Sequence, residues 1–289
     1  YFLFNNVYPL LQRMYEIHTV GLSTEDDYTA NLAQEVPDLH EEYEVVLHAA
    51  GKAHVVPKTD AEKKAFFDIN YQGTVHLCRA LEKSGIPKAF IFISTVAVYG
   101  CEYGENITEE HPLNGTTPYA VSKRMAEEYL QEWCHNHNVI LGILRPSLIA
   151  GPNPPGNLGA MIKGIESGKY FSIGGGKVRK SVLMVEDIAR LVPLLTKKGG
   201  IYNVCDDSQP TFHELEQLIA KQLRKPLPHN IPYRLAKCMA LTGDCLGSKV
   251  PFNSLKLKKI TKSLTFSNEK AKRELGWAPL NVTECFKIR

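Results

Sequence analysis

These 289 residues contain no Cys-x-x-Cys pair, no His/Cys ligand spacing and no apolar run near the length of a membrane span. Seven cysteines (78, 101, 134, 205, 238, 245 and 285) are scattered and odd in number. That pattern argues against a disulfide framework or a zinc site and reads as reduced thiols, with a cytoplasmic location expected. The opening Tyr1-Phe2-Leu3-Phe4 is too short for the core of a secretory signal. Charge of one sign is also lacking: 34 basic against 31 acidic residues leave +3, too little to imply nucleic acid. Repeats and low-complexity tracts are absent as well. What is present, 44% hydrophobic and 22% charged residues, suits a folded chain with one large core or two modest ones.

Periodicity divides the chain into elements. Phe4, Val7, Tyr8, Leu10 and Leu11 predict a helix from Tyr1 to about Gln12, and Glu16 to Val20 alternates like a strand. Asp26 to His40 reads as loop with a short helix. Val45 to Ala50 is a buried strand entering a small-residue turn at Gly51, where a backbone can approach a ligand. A helix over Ala61–Ser84 stops at Gly85, with Pro87 beyond. The apolar run Ala89–Ser94 predicts a buried parallel strand, followed by a helix from Tyr119 to about Asn138 and a strand over Val139–Leu144. Strands alternating with helices give an α/β fold with a doubly wound parallel sheet. After Gly151 the texture changes to Pro- and Gly-rich loops. Ser181–Val185 and Ile201–Val204 read as strands around a helix from Glu186 to Leu195. Thr211 with Glu214 forms a capping box, and Glu274–Pro279 a helix stop. We therefore expect a sheet domain over residues 1–150. A smaller α/β domain over 151–289 would lie at the sheet's C-terminal edge, with about 181–204 returning to the first and a cleft between them.

The chemistry gathers at Tyr119-Ala-Val-Ser-Lys123. Tyr119 and Lys123 fall one helical turn apart on one face. A phenol with a pKa of about 10 is a poor base near neutrality, and an adjacent ammonium group favours its ionised form. Such a pair can exchange a proton with a hydroxyl or carbonyl while a hydride moves to or from a nicotinamide. Thr95 would hydrogen-bond the same oxygen. With Ser94 it sits at the C-terminal end of the apolar strand, where open α/β sheets keep their sites. A second Tyr-x-x-x-Lys, Tyr233 to Lys237, has no such strand before it and reads as an amphipathic helix face. His135 and His137 point to different helix faces, which suits no metal. His48 reads as a packed core histidine, Lys256, Lys258, Lys259 and Lys262 as a solvated face, and Trp133 as a packing or dimer contact.

Six segments, in order, resemble the extended short-chain dehydrogenase/reductase superfamily in its NAD-dependent epimerase/dehydratase branch. They are Asn70-Tyr71-Gln72-Gly73-Thr74, Ser94 to Gly100, Tyr119 with Lys123, Arg145-Pro146-Ser147 with Gly151-Pro152, Val185 to Ala189, and Leu275 to Pro279. The resemblance covers nearly the whole chain. It implies an NAD(P)-binding Rossmann domain and a substrate domain. Thr95, Tyr119 and Lys123 would be catalytic, with Lys123 also binding the nicotinamide ribose and lowering the Tyr119 pKa. Pro146 and Ser147 would lie against the nicotinamide carboxamide, Ala49, Ala50 and Gly51 would line the cofactor channel, and Asn70 and Ser94 would complete that site. Thr95, Val96, Asn157, Arg179 and Lys180 would meet the substrate, the last two at its diphosphate. Read without the resemblance, Arg179 and Lys180 equally suit a solvated strand edge. A homodimer is implied too, with no metal, nucleic-acid or membrane partner.

Departures from the branch sharpen the expectation. Its Gly-rich loop and the strand before it are absent, so we expect upstream residues beyond those given, and the far end stops within what looks like a final helix. No carboxylate directly follows Val20-Gly21-Leu22-Ser23, which leaves NAD and NADP both open. Val96 and Ala97 stand where 4,6-dehydratases carry an Asp-Glu pair, which disfavours dehydration. Pro146-Ser147 stands where UDP-hexose 4-epimerases usually show an Asn, whereas the glycine-rich runs resemble 4-keto-sugar-nucleotide reductases of surface-polysaccharide pathways. The expectation is an NAD(P)-dependent epimerase or reductase acting at C4 of a nucleotide-sugar of UDP-hexose type. A steroid- or flavonoid-type reductase and a non-catalytic cofactor-sensing regulator are the alternatives.

Overall fold

The computed structural model describes residues 2–246 and 253–288, with backbone alone at 245, 246, 255, 256 and 259. The expectations on Tyr1 and on the side chains of Cys245, Lys256 and Lys259 lie outside the described residues. The chain runs α1 (Phe2–Leu11), β1 (Val20–Gly21), β2 (Tyr28–Thr29), β3 (Val45–His48), α2 (Asp60–Phe67), α3 (Gly73–Ser84), β4 (Ala89–Ile93), β5 (Gly104–Ile107) and α4 (Pro118–His137). Next come β6 (Ile140–Pro146), β7 (Leu148–Ala150), α5 (Gly156–Glu166), β8 (Ser172–Ile173), β9 (Val182–Met184), α6 (Val185–Lys198) and β10 (Gly200–Val204). It closes with α7 (Phe212–Leu223), β11 (Asn230–Ile231), α8 (Tyr233–Leu246), α9 (Ser254–Thr261), β12 (Leu264–Phe266), α10 (Glu269–Leu275) and α11 (Val282–Cys285).

Four strands pair in parallel in the order β10-β6-β4-β3, with Ile91 opposite Leu47 on one side and Gly142 on the other. Every residue of β4 is buried, as a strand covered on both faces requires, and that is why it reads as an unbroken apolar run. Val7, Leu11, Leu191 and Leu195 of α1 and α6 cover one face, against Ile91 and Ile93. Leu77, Leu81, Leu130 and Trp133 of α3 and α4 cover the other, against Phe90 and Phe92. The sheet is therefore doubly wound. A separate core joins α5, α7 and α11 to β7 and β9, which pair with each other.

Several elements differ from the sequence expectation for local physical reasons. Residues 16–19 form no ladder; only Val20 and Gly21 pair, with Tyr28 and Thr29. There the Asp27 carboxylate takes both the backbone N–H (2.7 Å) and the hydroxyl (3.0 Å) of Thr19. Asp26 to His40 holds turns and β2 but no helix. The helix expected over 61–84 is interrupted by a π-helical turn at Asp68–Gln72. Trp133 is a packing residue: it is buried against Phe90, and its Nε1 donates to Glu82 at 2.8 Å. The chain ends in the short α11 followed by irregular backbone.

Two motifs acquire a structural reason. Asp187 is fully buried on α6 and accepts N–H groups of Trp277 (3.3 Å) and Leu280 (2.9 Å), pinning the segment after α10 to α6. Gly276, at φ 63°, stops α10 in the left-handed conformation that favours glycine.

Candidate active site

Backbone geometry brings the candidate residues to the C-terminal end of β4. Thr95 leaves the strand in extended conformation and caps the short 3-10 turn Val96–Tyr99, its hydroxyl accepting the Ala97 N–H at 3.1 Å. Gly100 ends that turn at φ 72°, and a Cβ there would stand 2.6 Å from the Asn114 carbonyl. The chain then returns at Thr117, which caps α4 through the Ala120 N–H (3.2 Å), with Pro118 in the first turn. Tyr119 is thereby held beside Thr95, close enough for that residue to act on its phenol, and its ring packs on Phe66 with centroids 6.2 Å apart.

Lys123 is buried one turn along. Its Nζ donates to the Ile93 carbonyl at 2.8 Å and lies 4.5 Å from the centroid of the Phe92 ring. Burial lowers its pKa to about 8, with Glu127 acting in the opposite sense. The Tyr119 phenol is raised above its ordinary value, again by burial, and the Thr95 hydrogen bond only partly offsets this. This corrects the expectation that Lys123 lowers the Tyr119 pKa, because the ammonium group is turned to a strand carbonyl and is itself penalised by burial. In cofactor-free protein the phenolate signal of Tyr119, taken as wild type minus Tyr119→Phe at 295 nm, is therefore expected only above pH ~10. A difference signal appearing near pH ~8 would restore Lys123 as the dominant neighbour.

Other candidates take distinct places. Asn70, fully buried in the π-helical turn, accepts the Lys52 N–H (2.6 Å) and donates to the Lys52 carbonyl (3.1 Å) and Ser122 Oγ (2.9 Å). It fastens the loop after β3 to α4. Ala49, Ala50 and Gly51 are exposed at the tip of β3. A Cβ on Gly51 would lie 3.0 Å from Asn70 Oδ1 and 3.2 Å from Lys123 Nζ, so a side chain there would crowd the lysine. Ser94 turns inward, its hydroxyl donating to Glu127. His48 is buried, and Thr74 Oγ1 lies 2.9 Å from its Nε2 and donates onward to the Asn70 carbonyl. Burial, and then Lys123, lower the His48 pKa to about 3, so it stays neutral.

Val96 is partly exposed beside Thr95, and Asn157 is exposed in the first turn of α5. Gly156, next to Asn157, packs on His54 of the loop after β3. Arg179 and Lys180 diverge. Arg179 donates to the Gln209 carbonyl at 2.9 Å and lines a groove of about 500 Å³ with Asn106, Asp207 and Glu269. Lys180 donates to the Lys262 carbonyl at 2.9 Å, and burial lowers its pKa to about 8. The structure thus joins Thr95, Tyr119, Lys123 and Gly51 in one cluster, with Arg179 facing elsewhere.

Beneath this cluster lies a buried polar chain that sequence reading missed. Glu127 is fully buried and receives Arg145 Nε (3.1 Å) and Nη2 (2.6 Å) as well as Ser94. Arg145 Nη1 donates to the Tyr99 hydroxyl (3.0 Å), which donates to Asn203 Oδ1 (2.7 Å). A signal was present: Tyr119, Lys123 and Glu127 recur at four-residue spacing on one helix face.

The donor set suits a dinucleotide. Ser147 Oγ is buried with no partner, while its backbone N–H is spent on the Val204 carbonyl at 3.2 Å. An orphaned hydroxyl beside Pro146, a side-chain-free cradle at Gly51 and a buried cation at Lys123 fit a carboxamide and a ribose hydroxyl pair.

Comparison with known proteins agrees with this geometry. The model of the family described as "NAD dependent epimerase/dehydratase family" matches residues 10–205. The chain is 30% identical over 230 residues to N-acetyl-alpha-D-glucosaminyl-diphospho-ditrans,octacis-undecaprenol 4-epimerase of Escherichia coli O157:H7, covering 76% of this chain and 69% of that protein. It is 30% identical over 213 residues to GDP-6-deoxy-D-mannose reductase of Pseudomonas aeruginosa, covering 68% of this chain and 66% of that one. In fold it is similar to the UDP-glucose 4-epimerase of Thermotoga maritima solved with UDP-glucose, with a TM-score of 0.71, 21% identity, and 97% and 91% of the two chains covered.

Proposed function

The chain belongs to the NAD dependent epimerase/dehydratase family, so its cofactor is NAD or NADP, and we propose that it epimerises C4 of a hexose carried on a diphosphate, in the building of a polysaccharide. The observation that carries this reading is the Thr95–Tyr119–Lys123 cluster, in which Tyr119 keeps part of its surface exposed while Thr95 and Lys123 are buried. The bound nicotinamide supplies hydride exchange at carbon, and this chain handles the proton. Tyr119 Oη takes the C4 hydroxyl proton as the ketone forms and returns it when the carbonyl is reduced on the other face. Thr95 Oγ1 hydrogen-bonds the same oxygen and holds it beside the phenol. Lys123, a buried cation able to donate to ribose hydroxyls, sets the distance between ring and proton donor.

A second reading, one-way reduction of a 4-keto sugar, is favoured by Pro146-Ser147, which stands where UDP-hexose 4-epimerases usually show an Asn. The similarity to a reductase supports this reading as the similarity to an epimerase supports the first.

Denaturing the purified protein and assaying the supernatant for NAD and NADP separates the two. Tightly held NAD, with interconversion of UDP-glucose and UDP-galactose seen by NMR, is the epimerase result. An empty protein that oxidises NADPH with a nucleotide-linked 4-keto sugar is the reductase result, and neither activity would sink both readings. In this reading Lys180 would meet the diphosphate. Lys180→Gln is expected to raise KM for the diphosphate substrate ~10- to 100-fold, the loss of a hydrogen bond to a charged group, with kcat little changed. An unchanged KM would remove Lys180 from the substrate site.

A further inference from the structure

Charge is unevenly spread along the chain. Residues 217–268 hold ten Lys or Arg and one acidic residue, Asp244, so this fifth of the sequence carries a formal +9 while the whole carries +3. Asp244 is engaged internally, accepting the Ser254 backbone N–H at 3.1 Å and the Ser254 hydroxyl. The same segment exposes large apolar side chains. On α8, Ala236 and Ala240 are buried against Leu257 of α9, which fixes the helix's inner face. The outer face exposes Leu235 (54%), Met239 (46%) and Leu241 (52%), with Arg234 and Lys237 exposed between them.

The β8/β11 pair adjoins the helix, Ile173 and Ile231 packing against the cluster of Ala236, Ala240 and Leu257. β8 pairs in parallel with β11, and the Ser172 N–H donates to the His229 carbonyl at 3.0 Å. Phe171 and Leu227, each about half exposed, flank that pair, and Tyr233 follows it directly. Lys225 and Arg224 are exposed beside Leu227.

From this surface we propose that α8 and the β8/β11 turn dock the protein on an anionic lipid bilayer. The apolar side chains would enter the interface and the surrounding cations would face lipid phosphates. A helix apolar on its outer face with Lys and Arg among its exposed residues is the interfacial pattern, and clustered cations add attraction to anionic headgroups. A second copy of the same face would bring cation against cation. A nucleic acid would use the cations but leave Leu235, Met239 and Leu241 unburied. No helix among the described residues is long and apolar enough to cross a membrane, and surface docking requires none. The inference goes beyond the proposed reaction and does not depend on it, since none of these side chains belongs to the Thr95–Tyr119–Lys123 cluster.

The test is flotation of the full chain with vesicles of phosphatidylcholine alone or with about one-third phosphatidylglycerol, at low salt and at about 0.5 M NaCl. Binding to the anionic vesicles at low salt is expected, weakening at high salt and absent from pure phosphatidylcholine. Leu235→Glu/Met239→Glu is expected to lower the partition coefficient ~tenfold or more, with unchanged size on gel filtration, unchanged Tm and unchanged turnover of the soluble substrate. Arg234→Glu/Lys237→Glu serves as a second variant that leaves the apolar side chains in place and should weaken the same binding. Absence of anionic-vesicle binding, or binding that neither double variant weakens, would overturn the proposal. So would a protein that leaves the vesicles for duplex DNA, or one whose apolar variant changes oligomeric state instead.

Discussion

Replacing Tyr119 by Phe is expected to lower kcat by about 100- to 10,000-fold, the range that a positioned proton donor or acceptor supplies. The substitution removes one oxygen and leaves the ring packed on Phe66. That oxygen lies beside Thr95, whose hydroxyl keeps the Ala97 N–H as a partner. Tm and cofactor binding should therefore remain near wild type, and KM should change little, because the interaction lost matters where the proton moves. Single-turnover hydride transfer, read as nicotinamide absorbance, checks this directly. A Tyr119→Phe protein within threefold of wild type would sink the assignment of the proton to Tyr119, whatever the sugar.

The second large effect concerns stability. Glu127→Ala is expected to cost about 3–5 kcal/mol, because it leaves the Arg145 guanidinium buried without its countercharge. Burial pulls the Arg145 pKa down and Glu127, then Tyr99, hold it up, but a guanidinium is not deprotonated in proteins, so the charge persists when the carboxylate is gone. Ser94 loses its acceptor in the same step. A Glu127→Leu/Arg145→Met pair should recover most of the loss, since neither charge is then buried alone. Urea unfolding of the single and double variants measures both quantities. A Glu127→Ala protein within about 1 kcal/mol of wild type would show that water reaches the guanidinium. Activity carries a further signature. Glu127 raises the Lys123 pKa against the effect of burial, so its loss should lower that pKa below about 8 and move any alkaline limb due to Lys123 to lower pH.

The elements legible in the sequence were those whose signals are local. The apolar run at 89–93 became β4, Thr211 with Glu214 made both capping hydrogen bonds, and the helix from Tyr119 ran to Asn138, which takes the left-handed cap at φ 57°. Less was legible where pairing decides. Residues 16–19 alternate like a strand, but alternation supplies no ladder partner, and the Asp27 carboxylate takes the Thr19 N–H instead. The π-helical turn at Asp68–Gln72 was also hidden, since it reflects the backbone's adjustment around a buried Asn70 that bonds three groups far away in sequence.

The same division holds for the site. Helical spacing was enough to put Tyr119 and Lys123 on one face, whereas nothing local links Thr95, at the end of a strand, to a helix farther along the chain. Identity could not say which way each polar group faces, since that depends on what is packed beside it. Ser94 turns to Glu127, Asn70 to Lys52, and Lys123 to the Ile93 carbonyl. The two adjacent cations Arg179 and Lys180 separate because neighbouring residues of an extended segment point to opposite sides. The sequence by itself determined the parallel α/β architecture and the chemistry available at the end of β4. Tertiary structure alone decided the protonation of that chemistry, because desolvation depends on every element that covers a group and cannot be read from its neighbours in the chain.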